Sequence, residues 1–97
     1  MDEQPEPIGN RSRIAILVNI LNVAKRPTIK THIMYKANLS HRQLERYLAF
    51  LIGKEMLREF VDDKTGIRVY EATQKGNDFL KEYGHFSDTY GNGTIRQ

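Results

Sequence analysis

The chain has 97 residues, 39% hydrophobic and 28% charged, with a formal net charge of +3 and no cysteine. This is one domain's length, with room for one modest core, and the composition is that of a globular chain rather than a disordered one. Disulfides, thiolate metal sites and cysteine nucleophiles are excluded, and the longest apolar run, "IAILVNILNVA", falls short of the roughly 18 residues that a membrane-spanning helix needs.

Residues 1–11 carry Asp2, Glu3 and Glu6 among Pro5, Pro7 and Gly9, and read as a flexible acidic leader. The leader is unlike a secretory signal. With the missing cysteines, this sets a cytoplasmic expectation. Ser12 is placed to cap a helix running to about Ala24. Ile14, Leu17, Val18 and Leu21 follow the i, i+3, i+4, i+7 spacing of a buried face. Ile16, Ile20 and Val23 form a second stripe, and the two together cover roughly 220° of the helix surface, more than one core-facing stripe. Either the domain envelops this helix, or the second stripe meets another chain. A dimer contact through Ile16, Ile20 and Val23 is the preferred expectation.

Pro27 ends the first helix, because the residue before proline is pushed out of the α region. Thr28 is expected to cap a short second helix through about Lys36, burying Ile29, Ile33 and Met34. Asn38 suits a left-handed turn. Ser40 then caps a third helix, His41 to about Gly53, with Leu44, Leu48, Leu51 and Ile52 on its core side. Next the period changes from helical to alternating. Leu57-x-Glu59-x-Val61 and Ile67-x-Val69-x-Glu71 read as half-buried strands around "DDKTG", where Gly66 suits a turn of positive φ, so a β-hairpin is expected. Thr73 caps a last helix with Phe79, Leu80 and Tyr83 inward. Gly76 costs about 1 kcal/mol relative to alanine inside that helix and so marks a close backbone approach. Residues 84–97 have three glycines and no period. They read as a mobile tail in which Phe86 and Tyr90 are the residues suited to docking.

Helix, helix, tight turn, helix, hairpin, helix is the winged helix-turn-helix plan. The expected fold class is therefore α+β, mainly α, with a three-helix core, a two-stranded wing and a C-terminal helix over residues 12–83. The stretches "IMYKANLSHRQLERYLAFLIGKEML" and "YEATQKGNDFLKEY" also resemble a family of small archaeal winged helix-turn-helix DNA-binding and transcriptional-regulator-like domains. The matching positions are Ile33, Tyr35, Ala37, Leu39, Ser40, Leu44, Tyr47, Leu48 and Leu51, then Tyr70, Thr73, Lys75, Gly76, Phe79 and Leu80. The resemblance implies sequence-specific binding of double-stranded DNA by a small transcriptional regulator, and the homodimer is expected from the broad apolar surface of the first helix. Two departures stand out. Family members usually have glycine where this chain has Glu55, so either the helix end is reshaped around Gly53 or Glu55 holds a costly left-handed conformation. Many relatives also extend the last helix into a long dimerising one, where this chain meets Gly84.

Charge is unevenly placed. Residues 11–44 hold seven bases and no acid, whereas residues 47–97 hold seven bases and eight acids. A basic half points to a polyanionic partner. Arg42 and Arg46 are four apart, on the helix face opposite Leu44, Leu48 and Leu51, with Ala49 beside them. A helix fits the major groove, arginine pairs bidentately with guanine and glutamine with adenine. His41, Arg42, Gln43 and Arg46 are accordingly the candidate base-proximal set. Arg13, Arg26, Lys30 and Lys36 are candidate phosphate contacts. Ser40 is a cap first and a phosphate contact second. Lys64 and Arg68 are placed to reach flanking backbone from the wing, where Asp62 and Asp63 oppose a deep contact. Tyr35 and Tyr47 are expected in or just behind the core.

The rival reading is a protein-interaction module that works through the apolar surface of helix 12–24. RNA ranks lower, for want of an aromatic platform on the strands. Catalysis is not expected. His32, His41 and His85 lack tight ligand spacing, and there is neither a nucleophile elbow nor a phosphate-binding loop. No metal, cofactor or small-molecule substrate is expected.

Overall fold

The structure, a computed structural model, describes residues 12–86. The expected leader (1–11) and most of the expected tail, including Tyr90, lie outside the described residues. The elements are α1 (Arg13–Val23), α2 (Lys30–Ala37), α3 (His41–Gly53), β1 (Leu57–Val61), β2 (Arg68–Ala72) and α4 (Gln74–Tyr83). Their order is that of a winged helix-turn-helix domain.

α1 begins where Ser12 Oγ accepts the Ala15 N–H at 3.0 Å. It is the central element, packed by α2, α4 and β2. That enclosure corrects the expected dimer contact. Ile16 and Ile20 are 0% exposed within the chain's own core and offer a partner no surface, while Val23 is half-buried against the same core. The broad apolar surface is satisfied internally because three neighbours share it. The rival interaction module loses Ile16 and Ile20 from its working surface by the same fact. Ile14, expected inside, lies at the edge and is exposed.

Thr28 does not cap α2. Its N–H donates to the Tyr70 carbonyl at 2.9 Å, and its own carbonyl accepts the Tyr70 N–H at 2.8 Å. Thr28 thus adds a bridge to the edge of β2, where backbone groups would otherwise lack partners. The cap position falls to Ile29, which makes no side-chain cap bond and is exposed rather than buried. Asn38 closes α2 in the left-handed region, at φ 56° and ψ 56°.

α3 is capped reciprocally. Ser40 Oγ accepts the Gln43 N–H at 3.1 Å, and Gln43 Oε1 accepts the Ser40 N–H at 2.9 Å. Leu44, Leu48 and Leu51 anchor it in the core. Its C-terminus is closed by Glu55 N–H on the Ile52 carbonyl and Met56 N–H on the Leu51 carbonyl, both at 2.9 Å. This closure requires a left-handed residue next to the cap, and Glu55 supplies it at φ 63°. Of the two outcomes expected at Glu55, the left-handed one is realised. The Glu55 carbonyl is also held by the Thr73 hydroxyl at 2.6 Å. A side chain in that region costs roughly 1–2 kcal/mol, part of which glycine's extra unfolded-state freedom offsets. Glu55→Gly is therefore expected to stabilise the fold by about 0.5–1 kcal/mol. Thermal unfolding checks this, and an unchanged or lower midpoint counts against it.

β1 and β2 pair antiparallel from Leu57↔Ala72 to Val61↔Arg68. The turn places Gly66 at φ 73°, with the Thr65 hydroxyl donating to Asp62 Oδ2 at 2.9 Å. Leu57 and Ala72 at the root of the hairpin and Tyr70 and Val69 further along β2 are buried, whereas Val61 and Ile67 are exposed towards its tip. The expected alternation holds at the root and fails further out, where Val69 and Tyr70 are buried in succession and Val61 is exposed. In α4, Gly76 lies against the Met56 carbonyl, so the expected close approach is present. Tyr83, expected inward, is exposed at the end of that helix.

Candidate nucleic-acid interface

α3 presents its outer face in one continuous run. Leu44, Leu48 and Leu51 hold one side, so Arg42, Arg46, Ala49 and Gly53 fall opposite them. All four are exposed, and neither arginine has an acidic partner among the described residues. The two other members of the candidate base-proximal set lie differently. Gln43 is half-buried, with its side-chain oxygen committed to the Ser40 amide. His41 sits at the flank, with Nε2 3.5 Å from Glu45 Oε2.

The flank carries a polar network to which no sequence motif points. Glu45 Oε2 also accepts from Lys30 Nζ at 2.7 Å, which ties α2 to α3. That hydrogen bond holds the Glu45 carboxyl below the usual range and raises the Lys30 ammonium. Lys30 interacts in turn with the Tyr70 hydroxyl, which donates to Glu59 Oε2 at 3.2 Å. Burial pushes the Tyr70 hydroxyl up, and the Glu59 charge reinforces this. Arg68 Nη1 reaches the same Glu59 oxygen at 3.2 Å. Polar contacts thus run from the wing to the start of α3. Lys30 and Arg68, two candidate phosphate contacts, are members of this network rather than free cations. Side chains from three separate regions of the chain meet here, which is why no local motif announces it.

Arg13, Arg26, Lys36, Ser40 and Lys64 are exposed. Asp63 shares the wing tip with Lys64 and is exposed as well. Tyr35 corrects an expectation: it is 83% exposed on the outer side of α2. α2 is short and buries only Ile33 and Ala37, so Tyr35 faces away from the core. Tyr47 packs half-buried against the core, as expected. One further residue joins the outer face that the sequence does not single out. Phe50, on the outer half of α3, is 45% exposed, with Lys54 Nζ 5.7 Å from its ring centroid. Its spacing of eight from Arg42 is the available signal, but hydrophobic type alone argues for the interior. Among the described residues no group of acidic or histidine side chains is arranged to hold a metal ion, and no helix is long and apolar enough to cross a membrane.

A family model described as winged helix-turn-helix matches residues 10–90. The chain belongs to the winged helix-turn-helix family. An uncharacterized protein of Methanocaldococcus jannaschii is 34% identical over 82 residues, covering 84% of this chain and 36% of that protein. This chain therefore spans about a third of that relative's length. A second uncharacterized protein of the same organism is 34% identical over 65 residues, covering 57% of this chain and 67% of that protein. Among solved structures, a DNA-binding protein from Sulfolobus solfataricus superposes with a TM-score of 0.69 at 22% identity, covering 78% of each chain. Lactococcus lactis ZitR in complex with DNA superposes with a TM-score of 0.61 at 12% identity, covering 88% of this chain and 60% of that one. These two share the fold.

Proposed function

We propose that this winged helix-turn-helix chain binds double-stranded DNA with sequence preference, as a small transcriptional regulator, laying α3 in the major groove. The observation that carries the reading is the pair Arg42 and Arg46. Both are exposed on the face of α3 opposite its leucine anchor, and neither has an acidic partner among the described residues. Arginines so placed suit guanine O6 and N7. Gln43 serves as the cap that aims α3, and Arg13, Arg26, Lys36 and the Ser40 region serve phosphates. Lys30 joins them only by releasing Glu45. With Arg68 held by Glu59 and Asp63 at the tip, the wing touches the backbone shallowly, through Lys64. The names of the two neighbouring structures above support DNA as the partner. A homodimer on a two-fold site has to use a surface other than the interior stripe of α1.

Titration of the purified protein with random-sequence duplex at increasing salt tests the reading. Four to six phosphate contacts predict that affinity falls about 10²–10³-fold between 50 and 200 mM salt. Affinity indifferent to salt would exclude a phosphate-based interface.

A further inference from the structure

We infer that Phe50 reads a thymine methyl group in the major groove, beyond the bases met by Arg42 and Arg46. The inference rests on the DNA-binding reading above and adds to it a residue that determines specificity. Phe50 is 45% exposed, while its neighbour Leu51 is fully buried. The core position at this turn is therefore filled by leucine, and the ring is left at the surface. A lone exposed apolar side chain is ordinary, so the case rests on what surrounds it.

Phe50 lies one turn beyond Arg46 and two beyond Arg42, on the same outward half of α3. The four residues from Arg46 rise about 6 Å along the axis, and base pairs are about 3.4 Å apart, so the ring falls about two base steps past Arg46. Ala49 and Gly53 lie beside it towards the arginines, and a side chain built at Gly53 would meet open space. With Ala49 and Gly53 small on the side towards the arginines, the ring is an apolar projection that nothing among the described residues covers on that side. From Arg46 to Lys54 there is no acid, and the Lys54 ammonium stands 5.7 Å from the ring centroid. A lysine ammonium beside the ring can also donate a charge-assisted hydrogen bond to a phosphate. The one apolar group that the major groove offers is the thymine C5-methyl, and phenylalanine is among the residues that contact it. The predicted site therefore combines guanine for the arginines with thymine about two steps away.

The test begins by selecting the preferred duplex from a random pool with the intact protein. Each thymine is then replaced singly by uracil, which removes only the methyl group. One position is expected to lose about three- to five-fold in affinity, the worth of one buried methyl. Phe50→Ala should lose a similar factor on the natural site and become indifferent to uracil there, while its guanine preferences persist. Because the uracil scan uses the unaltered protein, it stands even where Phe50→Ala folds poorly. A selected site indifferent to every uracil replacement overturns the inference and leaves the DNA-binding reading intact. So does a Phe50→Ala variant that is folded and still senses the methyl. Failure to bind any duplex overturns both.

Discussion

Replacing Arg42 and Arg46 together by alanine is expected to remove most of the sequence preference and leave the fold unchanged. Each bidentate arginine–guanine pair discriminates against the wrong base by about 1–3 kcal/mol. Losing both should shrink the ratio of specific to random-duplex affinity by roughly 30- to 10⁴-fold, at about tenfold per 1.4 kcal/mol. Random-duplex binding itself should weaken far less, since Arg13, Arg26 and Lys36 remain exposed and phosphate contacts carry no sequence information. Stability should move by no more than about 0.5 kcal/mol, because both side chains lie at the surface and anchor nothing. Mobility shift on the selected and a scrambled duplex, together with thermal unfolding, reads all three quantities. A double variant that keeps its preference would exclude α3 as the reading element. Lysine in both positions should restore random binding and not preference, since an ammonium lacks the planar fork that guanine requires.

The largest stability effect is expected at Gly76. This residue sits in the first turn of α4, where its N–H donates to the Thr73 hydroxyl at 3.1 Å. An added Cβ would overlap the Met56 carbonyl and approach Leu21 Cδ2 at 3.3 Å. That carbonyl cannot turn aside freely, because it accepts the Thr73 N–H at 3.0 Å, the bond that joins the end of α3 to the start of α4. Alanine gains about 1 kcal/mol in helix propensity, but a collision with fixed backbone is the kind of overpacking that outweighs it. Gly76→Ala should destabilise the domain by about 2–3 kcal/mol net. The midpoint should fall by roughly 10–20 °C for a chain of this size. A midpoint that holds or rises would mean that α4 does not rest on the Met56 carbonyl as described. DNA affinity measured well below the midpoint should be nearly unaltered, since Gly76 lies in α4 and the reading residues in α3.

Much of this architecture is legible in the amino-acid sequence. The caps at Ser12, Ser40 and Thr73, the left-handed turns at Asn38 and Gly66 and the change of period after α3 are local signals, each set by residues within a few positions. The leucine spacing of α3 places Arg42 and Arg46 on the outward face without reference to other elements. Thr28 departs from its expected cap role because its partner, Tyr70, lies 42 residues away and offers two backbone bonds that no local cap can match. Tyr35 departs from its expected place in or behind the core for a related reason, and the exposure of Phe50 has the same origin. Hydrophobic type states a preference for burial, while actual burial depends on whether a neighbour arrives.

By itself, then, the sequence determined the order of elements, their caps, the acid-free basic half and the outward arginines of α3, because these follow from near-neighbour sterics and periodicity. Only the tertiary structure decided which surfaces remain available. It enclosed Ile16 and Ile20, tied Lys30 and Arg68 into one network with Glu45, Tyr70 and Glu59, and left Phe50 on the outer half of α3. Burial and ion pairing are properties of residues distant in the chain and adjacent in space, and no window along the sequence contains both partners.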